Sequence, residues 1–253
     1  MTVSKIKKIS IFVHFLVFLL FFIVILKPSF FYWSIAISNI IIIIFSYSII
    51  NLRGRSGFAR YLILPIFFIN LSFLYSSLLA SKAVAIFVLF SATFLLFYYY
   101  RSALKYYFIE SDKKKNLPVW SNLFGFLTVF IGSAFIYGLP YFLKINYFLL
   151  AIFLSVLIFV SLFHNIKIES DSSRKAFMFS LVVLFSLIPI SWFIFFLPFN
   201  YNVLALILSL FYYNALMFIV LYAEKSLSVK KIKYNIVFSL IFLFLILVSV
   251  NWR

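Results

Sequence analysis

The residues best suited to chemistry lie in one polar segment, which runs from His164 to Lys175 and reads His-Asn-Ile-Lys-Ile-Glu-Ser-Asp-Ser-Ser-Arg-Lys. The segment holds two of the five acidic residues of the chain and one of its two histidines. Carboxylates beside basic groups suit a Mg²⁺ ion shared with a diphosphate, because magnesium takes one or two carboxylates together with substrate phosphates. The alternative is that the basic side chains only fix topology and contact anionic lipid headgroups.

The composition places this segment in a membrane protein. The chain has 253 residues, of which 66% are hydrophobic and 11% charged, and its mean hydropathy is +1.19. A soluble domain carries about a quarter charged residues, so this much apolar surface requires lipid as its solvent. The net charge of +17 would suggest nucleic acid in a soluble protein. Here we expect no nucleic-acid partner, because basic residues in short loops set membrane orientation.

Nine apolar runs, each close to the 20 residues that a membrane-crossing helix needs, follow one another along the chain. They are Ile9–Leu26, Phe30–Ile50, Tyr61–Leu79, Ala83–Tyr100, Trp120–Leu139, Ile145–Phe163, Ala176–Phe196, Val203–Tyr222 and Tyr234–Trp252. The sequence therefore predicts an all-α, polytopic membrane protein with nine transmembrane helices, forming a single domain over residues 1–253.

The basic residues of the loops predict the orientation. Eighteen of the 22 lysines and arginines lie in alternate loops, and only Lys27, Lys82, Lys144 and Arg253 lie on the other side. By the positive-inside rule, the N-terminus is cytoplasmic and the C-terminus is outside, as in a bacterial inner-membrane protein. All five acidic residues fall on the cytoplasmic side as well.

Polar residues within the apolar runs are few and uncharged. His14, Asn39, Asn70 and Asn214 are expected to form hydrogen bonds with neighbouring helices, and the alternative for His14 is a role as a ligand or proton carrier. The absence of charged residues from the runs counts against ion-coupled transporters and voltage sensors. The chain has no HExxH or GxSxG motif and no cysteine, which excludes several classes of membrane enzyme.

The three short segments Tyr98–Lys105, Asn122–Gly125 and Lys167–Asp171 resemble the UbiA superfamily of intramembrane prenyltransferases. Lys167-Ile168-Glu169-Ser170-Asp171 follows the sixth run, where that family carries an Asp-rich segment. Tyr98-Tyr99-Tyr100-Arg101, Lys105 and then Asn122-Leu123-Phe124-Gly125 are similar to its loop after the fourth span. The family's first Asp-rich motif, Asn-x-x-x-Asp, is replaced here by Asn51-Leu-Arg-Gly-Arg55, which has an arginine in place of the carboxylate.

The resemblance implies a UbiA-like helical bundle around a lipid-facing cavity, in which a prenyl diphosphate meets an acceptor. Glu169 and Asp171 would be the catalytic residues and would hold Mg²⁺. The diphosphate would be bound by polar and basic side chains at the cytoplasmic side, which are Asn51, Arg53, Arg55, Lys105, Lys167 and Arg174. Aromatic helix faces would shelter the prenyl carbocation by cation–π contact.

Three functions remain open from the sequence. The first is a diverged prenyltransferase that transfers a prenyl group from a prenyl diphosphate to an acceptor. The second is a catalytically inactive protein that binds membrane lipid or assists assembly, which the arginine at position 55 favours. The third is a small-solute transporter, against which the lack of ionisable groups in the spans counts.

Overall fold

A computed structural model describes residues 3–51, 58–108, 116–169, 172–223 and 228–249, with side chains over 12–47, 63–103, 117–169, 172–223, 228–245 and at 248. Within these ranges the chain forms nine α-helices and no strand. The helices are α1 Val3–Leu26, α2 Phe31–Asn51, α3 Phe58–Leu78, α4 Lys82–Phe108, α5 Asn116–Phe142, α6 Tyr147–Glu169, α7 Ser173–Phe195, α8 Tyr201–Ala223 and α9 Val229–Ser249. The all-α prediction is confirmed.

Six helices in the described part of the chain are long and apolar enough to cross a membrane. They are α2, α4, α5, α6, α7 and α8, while the apolar parts of α1 and α3, Phe12–Leu26 and Ile63–Leu78, are shorter. Lipid offers the backbone no hydrogen-bond partner, so a helix, which pairs these groups internally, is the structure such runs adopt. The prediction of a helical membrane protein is therefore supported, and the count of nine crossings stays a prediction.

Helices α4 and α6 continue well past the C-terminal ends of the apolar runs that predicted them. The fourth run ends at Tyr100, but α4 continues to Phe108; the sixth ends at Phe163, but α6 continues to Glu169. Lysine and glutamate are good helix formers, so the hydrogen-bond ladder continues where hydrophobicity stops. Lys105, Lys167 and Glu169 therefore lie on helices, whereas the sequence placed them in loops.

The chain divides into two compact units, 1–124 and 125–253. In the first unit α1 packs against α2 and α4, and α3 packs against α2 and α4, so each of these four helices packs against two of the others. Asn39 Nδ2 of α2 donates a 2.9 Å hydrogen bond to Asn70 Oδ1 of α3, as predicted for polar groups in the runs. Phe124 of α5 stacks on Tyr99, with ring centroids 4.8 Å apart.

In the second unit α6, α7 and α8 pack against one another, and α9 packs against α8. Asn214 Nδ2 of α8 donates to Ser239 Oγ of α9 at 2.8 Å, which confirms the predicted interhelical hydrogen bond of Asn214. Ser239 is buried, whereas most other described side chains of α9 are exposed and apolar. A polar pair therefore anchors a helix whose remaining surface suits contact with lipid.

Candidate functional site

The predicted metal and diphosphate residues of the second unit lie where α6 ends and α7 begins. Glu169 is the last residue of α6 and is half-buried, and Arg174 is exposed in the first turn of α7. Ser172 caps α7, because its side-chain oxygen accepts the backbone N–H of Lys175 at 3.4 Å. Carboxylate and guanidinium groups are thus gathered at one end of this helical hairpin.

The side chain of Lys167 makes a cation–π contact with an aromatic ring. Its ammonium nitrogen lies 5.4 Å from the ring centroid of Phe163, one turn earlier on α6, and the side chain is half-buried. A lysine in this arrangement places its aliphatic stem along apolar surface and its charge toward the interface. The structure therefore brings Lys167, Glu169 and Arg174 to the same end of the α6–α7 hairpin.

The other predicted ligands are only partly within the described structure. Asn51 ends α2 and Lys105 lies in the last turn of α4, and only their backbones are described. Arg53, Arg55 and Asp171 lie outside the described residues. Among the described residues no group of three or more His, Cys, Asp or Glu side chains could hold a metal. The Mg²⁺ site at Glu169 and Asp171 therefore stays a prediction.

A buried polar contact lies one helical turn before Glu169. Asn165 is fully buried and donates through Nδ2 to the hydroxyl of Tyr212 on α8 at 2.9 Å. Gly125 of α5 lies directly against this pair, because a Cβ at that position would collide with Asn165 Nδ2 and lie 2.9 Å from the Tyr212 hydroxyl. The polar segment His164–Lys175 includes Asn165, but no feature of the sequence indicates Tyr212 or the close approach of Gly125.

A groove walled by phenylalanines runs between α1 and α4 of the first unit. Its volume is about 390 Å³, and we call it the phenylalanine groove. The residues that line it are His14, Phe15, Phe18, Phe90, Thr93, Phe94 and Phe97. The α4 members are spaced three and four residues apart, so they share one helix face, and Phe15, Phe90 and Phe94 are exposed along it. The groove is therefore open at the surface of the unit.

The groove leads toward a cation. Arg101 is exposed and follows Phe97 by four residues on α4, which places it on the same face about 6 Å farther along the helix. Lys105 takes the next register position on that face. Both residues lie toward the helix end that the loop charges predict as cytoplasmic. An apolar chain in the groove would thus have its polar end beside a guanidinium.

His14 contributes a polar edge to an otherwise aromatic wall. Its ring lies 5.3 Å from Phe97 and 5.8 Å from Tyr100, measured between centroids, in edge-on contacts. The Tyr100 hydroxyl is hydrogen-bonded to Ser46 Oγ at 2.8 Å. Aromatic rings prefer such edge-to-face packing, which fixes the orientation of each ring. The groove wall is therefore held in place by contacts to α2.

Comparison with known proteins assigns no family. The sequence matches no protein-family model, and no curated protein or solved structure gives a match.

Proposed function

We propose that this chain is an integral membrane protein that binds a prenyl diphosphate and, as a diverged relative of the UbiA-type prenyltransferases, transfers the prenyl group to an acceptor. The observation that carries the proposal is the phenylalanine groove, with Arg101 one turn beyond it. A prenyl diphosphate has the same polarity: a long unsaturated chain joined to a compact multivalent anion. Guanidinium groups suit such an anion because they donate paired hydrogen bonds to phosphate oxygens.

The groove residues would also favour the chemical step. The bond between the allylic carbon and the diphosphate oxygen breaks, the electron pair leaves with the diphosphate, and an allylic cation remains. The acceptor attacks this carbon and loses a proton. Phenylalanine faces stabilise the cation electrostatically, and Arg101 stabilises the charge that develops on the leaving group. In the second unit, Glu169 and Asp171 are the residues that would hold Mg²⁺, which suits a diphosphate because it takes carboxylate and phosphate oxygens as ligands.

A second candidate is a protein that binds the prenyl lipid without transferring it. The residue that favours this candidate is Arg55, which stands where the family pattern has a carboxylate. An arginine binds phosphate oxygens directly but cannot ligate a metal. In this version the basic residues hold the diphosphate, and no bond is broken.

Turnover and binding assays on the detergent-purified chain test both candidates. Labelled geranyl, farnesyl and geranylgeranyl diphosphates are incubated with the protein and a membrane-lipid extract as acceptor, with and without Mg²⁺. Saturable binding with release of diphosphate supports the transferase, and saturable binding alone supports the second candidate. No saturable binding at any chain length would refute both.

Matched variants tie the binding to the groove. Phe94→Ala removes a groove wall, whereas Phe87→Ala removes an exposed phenylalanine of α4 that does not line the groove. Arg101→Gln removes the cation, and Lys144→Gln removes an exposed cation between α5 and α6. Loss confined to the first member of each pair is expected. Equal losses within each pair would show that the groove is not the binding site.

A further inference from the structure

A second apolar depression lies between α7, α8 and α9 of the second unit, with a volume of about 300 Å³. Its walls on α7 and α9 are mainly aliphatic and include Leu187, Ile190, Ile232 and Ile236. Ile236 is exposed, so the depression is open at the surface of the unit. We call it the α9 slot.

The α9 slot has the depth of one leaflet. Its α8 wall consists of Phe211, Asn214, Ala215, Phe218 and Leu221, which share one helix face. The ten steps along the helix from Phe211 to Leu221 rise about 15 Å, which is half of the roughly 30 Å hydrocarbon thickness of a bilayer. Leu221 is close to the end of α8, so the slot reaches the helix ends that the loop charges predict as cytoplasmic.

Two lysines of α9 lie beside the mouth of the slot, and a third lies away from it. Ile232, Asn235 and Ile236 face the slot from α9. At about 100° per residue, Lys231 and Lys233 lie on the two sides of that face, and Lys230 lies on the opposite side of the helix. All three lysines are exposed. Two cations therefore stand beside the slot, and one does not.

The amino end of α9 adds to the attraction for an anion. Ser228 Oγ accepts the backbone N–H of Lys231 at 3.3 Å, and the first turn of a helix carries partial positive charge. Asn235 is half-buried in the slot wall, where its amide can donate to an ester carbonyl. The slot thus combines an apolar channel and an amide donor with a cationic mouth.

We propose that the α9 slot binds an anionic phospholipid of the cytoplasmic leaflet, with one acyl chain in the slot and the headgroup phosphate at its mouth, within reach of Lys231 and Lys233. The apolar walls accept any acyl chain, so the cationic mouth makes the site selective for negative charge. Long lysine side chains serve this purpose because their stems lie along apolar surface while the ammonium groups reach the interface. The proposal does not depend on prenyl transfer.

Native mass spectrometry of the full chain in detergent tests the proposal. The probes are dioleoyl phosphatidylglycerol and dioleoyl phosphatidylcholine, which share acyl chains and differ in net charge. Tighter binding of phosphatidylglycerol is expected. Lys231→Gln and Lys233→Gln should each lower its affinity about fivefold, and Lys230→Gln, which removes the same charge from the same helix turn, should change it less than about twofold.

If the three lysine variants lose equal affinity for phosphatidylglycerol, the lipid responds to the general positive charge of the surface and not to a site, and the proposal is overturned. Equal affinity for the two lipids would overturn it as well. Ile236→Trp fills the slot and should weaken both lipids, whereas Val237→Trp, on the far face of α9, should weaken neither. Displacement of phosphatidylglycerol by farnesyl diphosphate would assign the slot to substrate and contradict the proposal. Circular dichroism confirms that each variant keeps its helical content.

Discussion

The phenylalanine groove and the α9 slot are similar in size but differ in what lines them. The groove has five phenylalanines, a histidine and a threonine, whereas aliphatic residues and two asparagines provide most of the slot lining. In a membrane, apolar walls alone do not favour one apolar ligand over the surrounding lipid, because lipid tails are as apolar as the walls. Aromatic faces add an affinity for positive charge, and a flanking cation adds an affinity for phosphate. The comparison therefore separates a surface suited to a reactive isoprenoid from one suited to an ordinary acyl chain.

The interiors of the two units differ in a related way. Packed aromatic rings fill the first unit, where Phe124 lies against Tyr99 and against Phe68, with centroids 4.8 Å and 4.3 Å apart. In the second unit the interior holds the Asn165–Tyr212 hydrogen bond, with Gly125 packed on it. Adjacent residues of α5 thus meet aromatic packing in one unit and a buried polar pair in the other. The predictions below test these differences.

The largest effect is expected for Gly125→Ala. The added methyl group collides with Asn165 and approaches Tyr212. To accept it, the hydrogen bond between these two side chains must break or shift, and the helices that carry them must move. Overpacking of this kind costs about 1–3 kcal/mol, and we expect a lower unfolding temperature in detergent by intrinsic fluorescence. An unchanged unfolding temperature would show that the helices can separate enough to accept a methyl group. Val119→Ala, at an exposed position of α5, is the control.

Arg101→Gln is expected to weaken farnesyl diphosphate binding about tenfold, which corresponds to about 1.4 kcal/mol. The reason is the loss of a charge-assisted hydrogen bond to the diphosphate. Equilibrium binding of labelled farnesyl diphosphate measures the change. The affinity of the α9 slot for phosphatidylglycerol should stay the same in this variant. If the variant binds both farnesyl diphosphate and phosphatidylglycerol more weakly, the two surfaces are not separate binding sites.

Phe94→Leu keeps an apolar side chain in the groove and removes one aromatic face. Binding of the prenyl diphosphate should change little, while turnover should fall about two- to fivefold, as expected from a cation–π contact of about 0.5–1 kcal/mol. Phe218→Leu in the α9 slot, where no carbocation is proposed, should leave turnover unchanged. If Phe94→Leu weakens binding and turnover equally, the ring acts by packing alone.

The smallest effect is expected for Asn214→Leu. It removes the hydrogen bond to Ser239 that joins α8 to α9, and such bonds in membrane proteins contribute about 0.6 kcal/mol. Limited proteolysis should cleave the variant faster near α9. Asn39→Leu breaks the corresponding pair with Asn70 in the first unit and should leave the α9 cleavage rate as it was. Equal acceleration in both variants would mean that α9 has no separate anchor.

The sequence predicts the helices better than it predicts the surfaces between them. Apolar runs of about 20 residues specify where helices form, because lipid leaves the backbone no other partner. The hydrogen bonds of polar residues such as Asn39 and Asn214 can be predicted as well, because lipid offers a polar side chain no hydrogen-bond partner. Phe90, Phe94 and Phe97 give no comparable signal, because a phenylalanine that lines a groove is as apolar as one that contacts lipid. The close packing at Gly125 likewise depends on which helices meet.

Of the residues predicted as ligands, Lys167, Glu169 and Arg174 could be placed from sequence at one end of the α6–α7 hairpin, because only three residues separate the end of α6 from the start of α7. The sequence indicates Arg101 only as part of the segment Tyr98–Arg101, and not as the continuation of an aromatic helix face. That relation requires the packing of α1 against α4, which no periodicity along the chain encodes.

Photo-crosslinking tests the central claim most directly. A farnesyl diphosphate analogue with a benzophenone on the distal end of the prenyl chain is irradiated with the purified protein, and the labelled peptides are sequenced. The account predicts adducts on the α1 and α4 peptides that line the phenylalanine groove, around Phe18 and Phe90, and their loss when unlabelled farnesyl diphosphate is added in excess. Adducts that spread over many lipid-facing helices, or that survive the competitor, would contradict it.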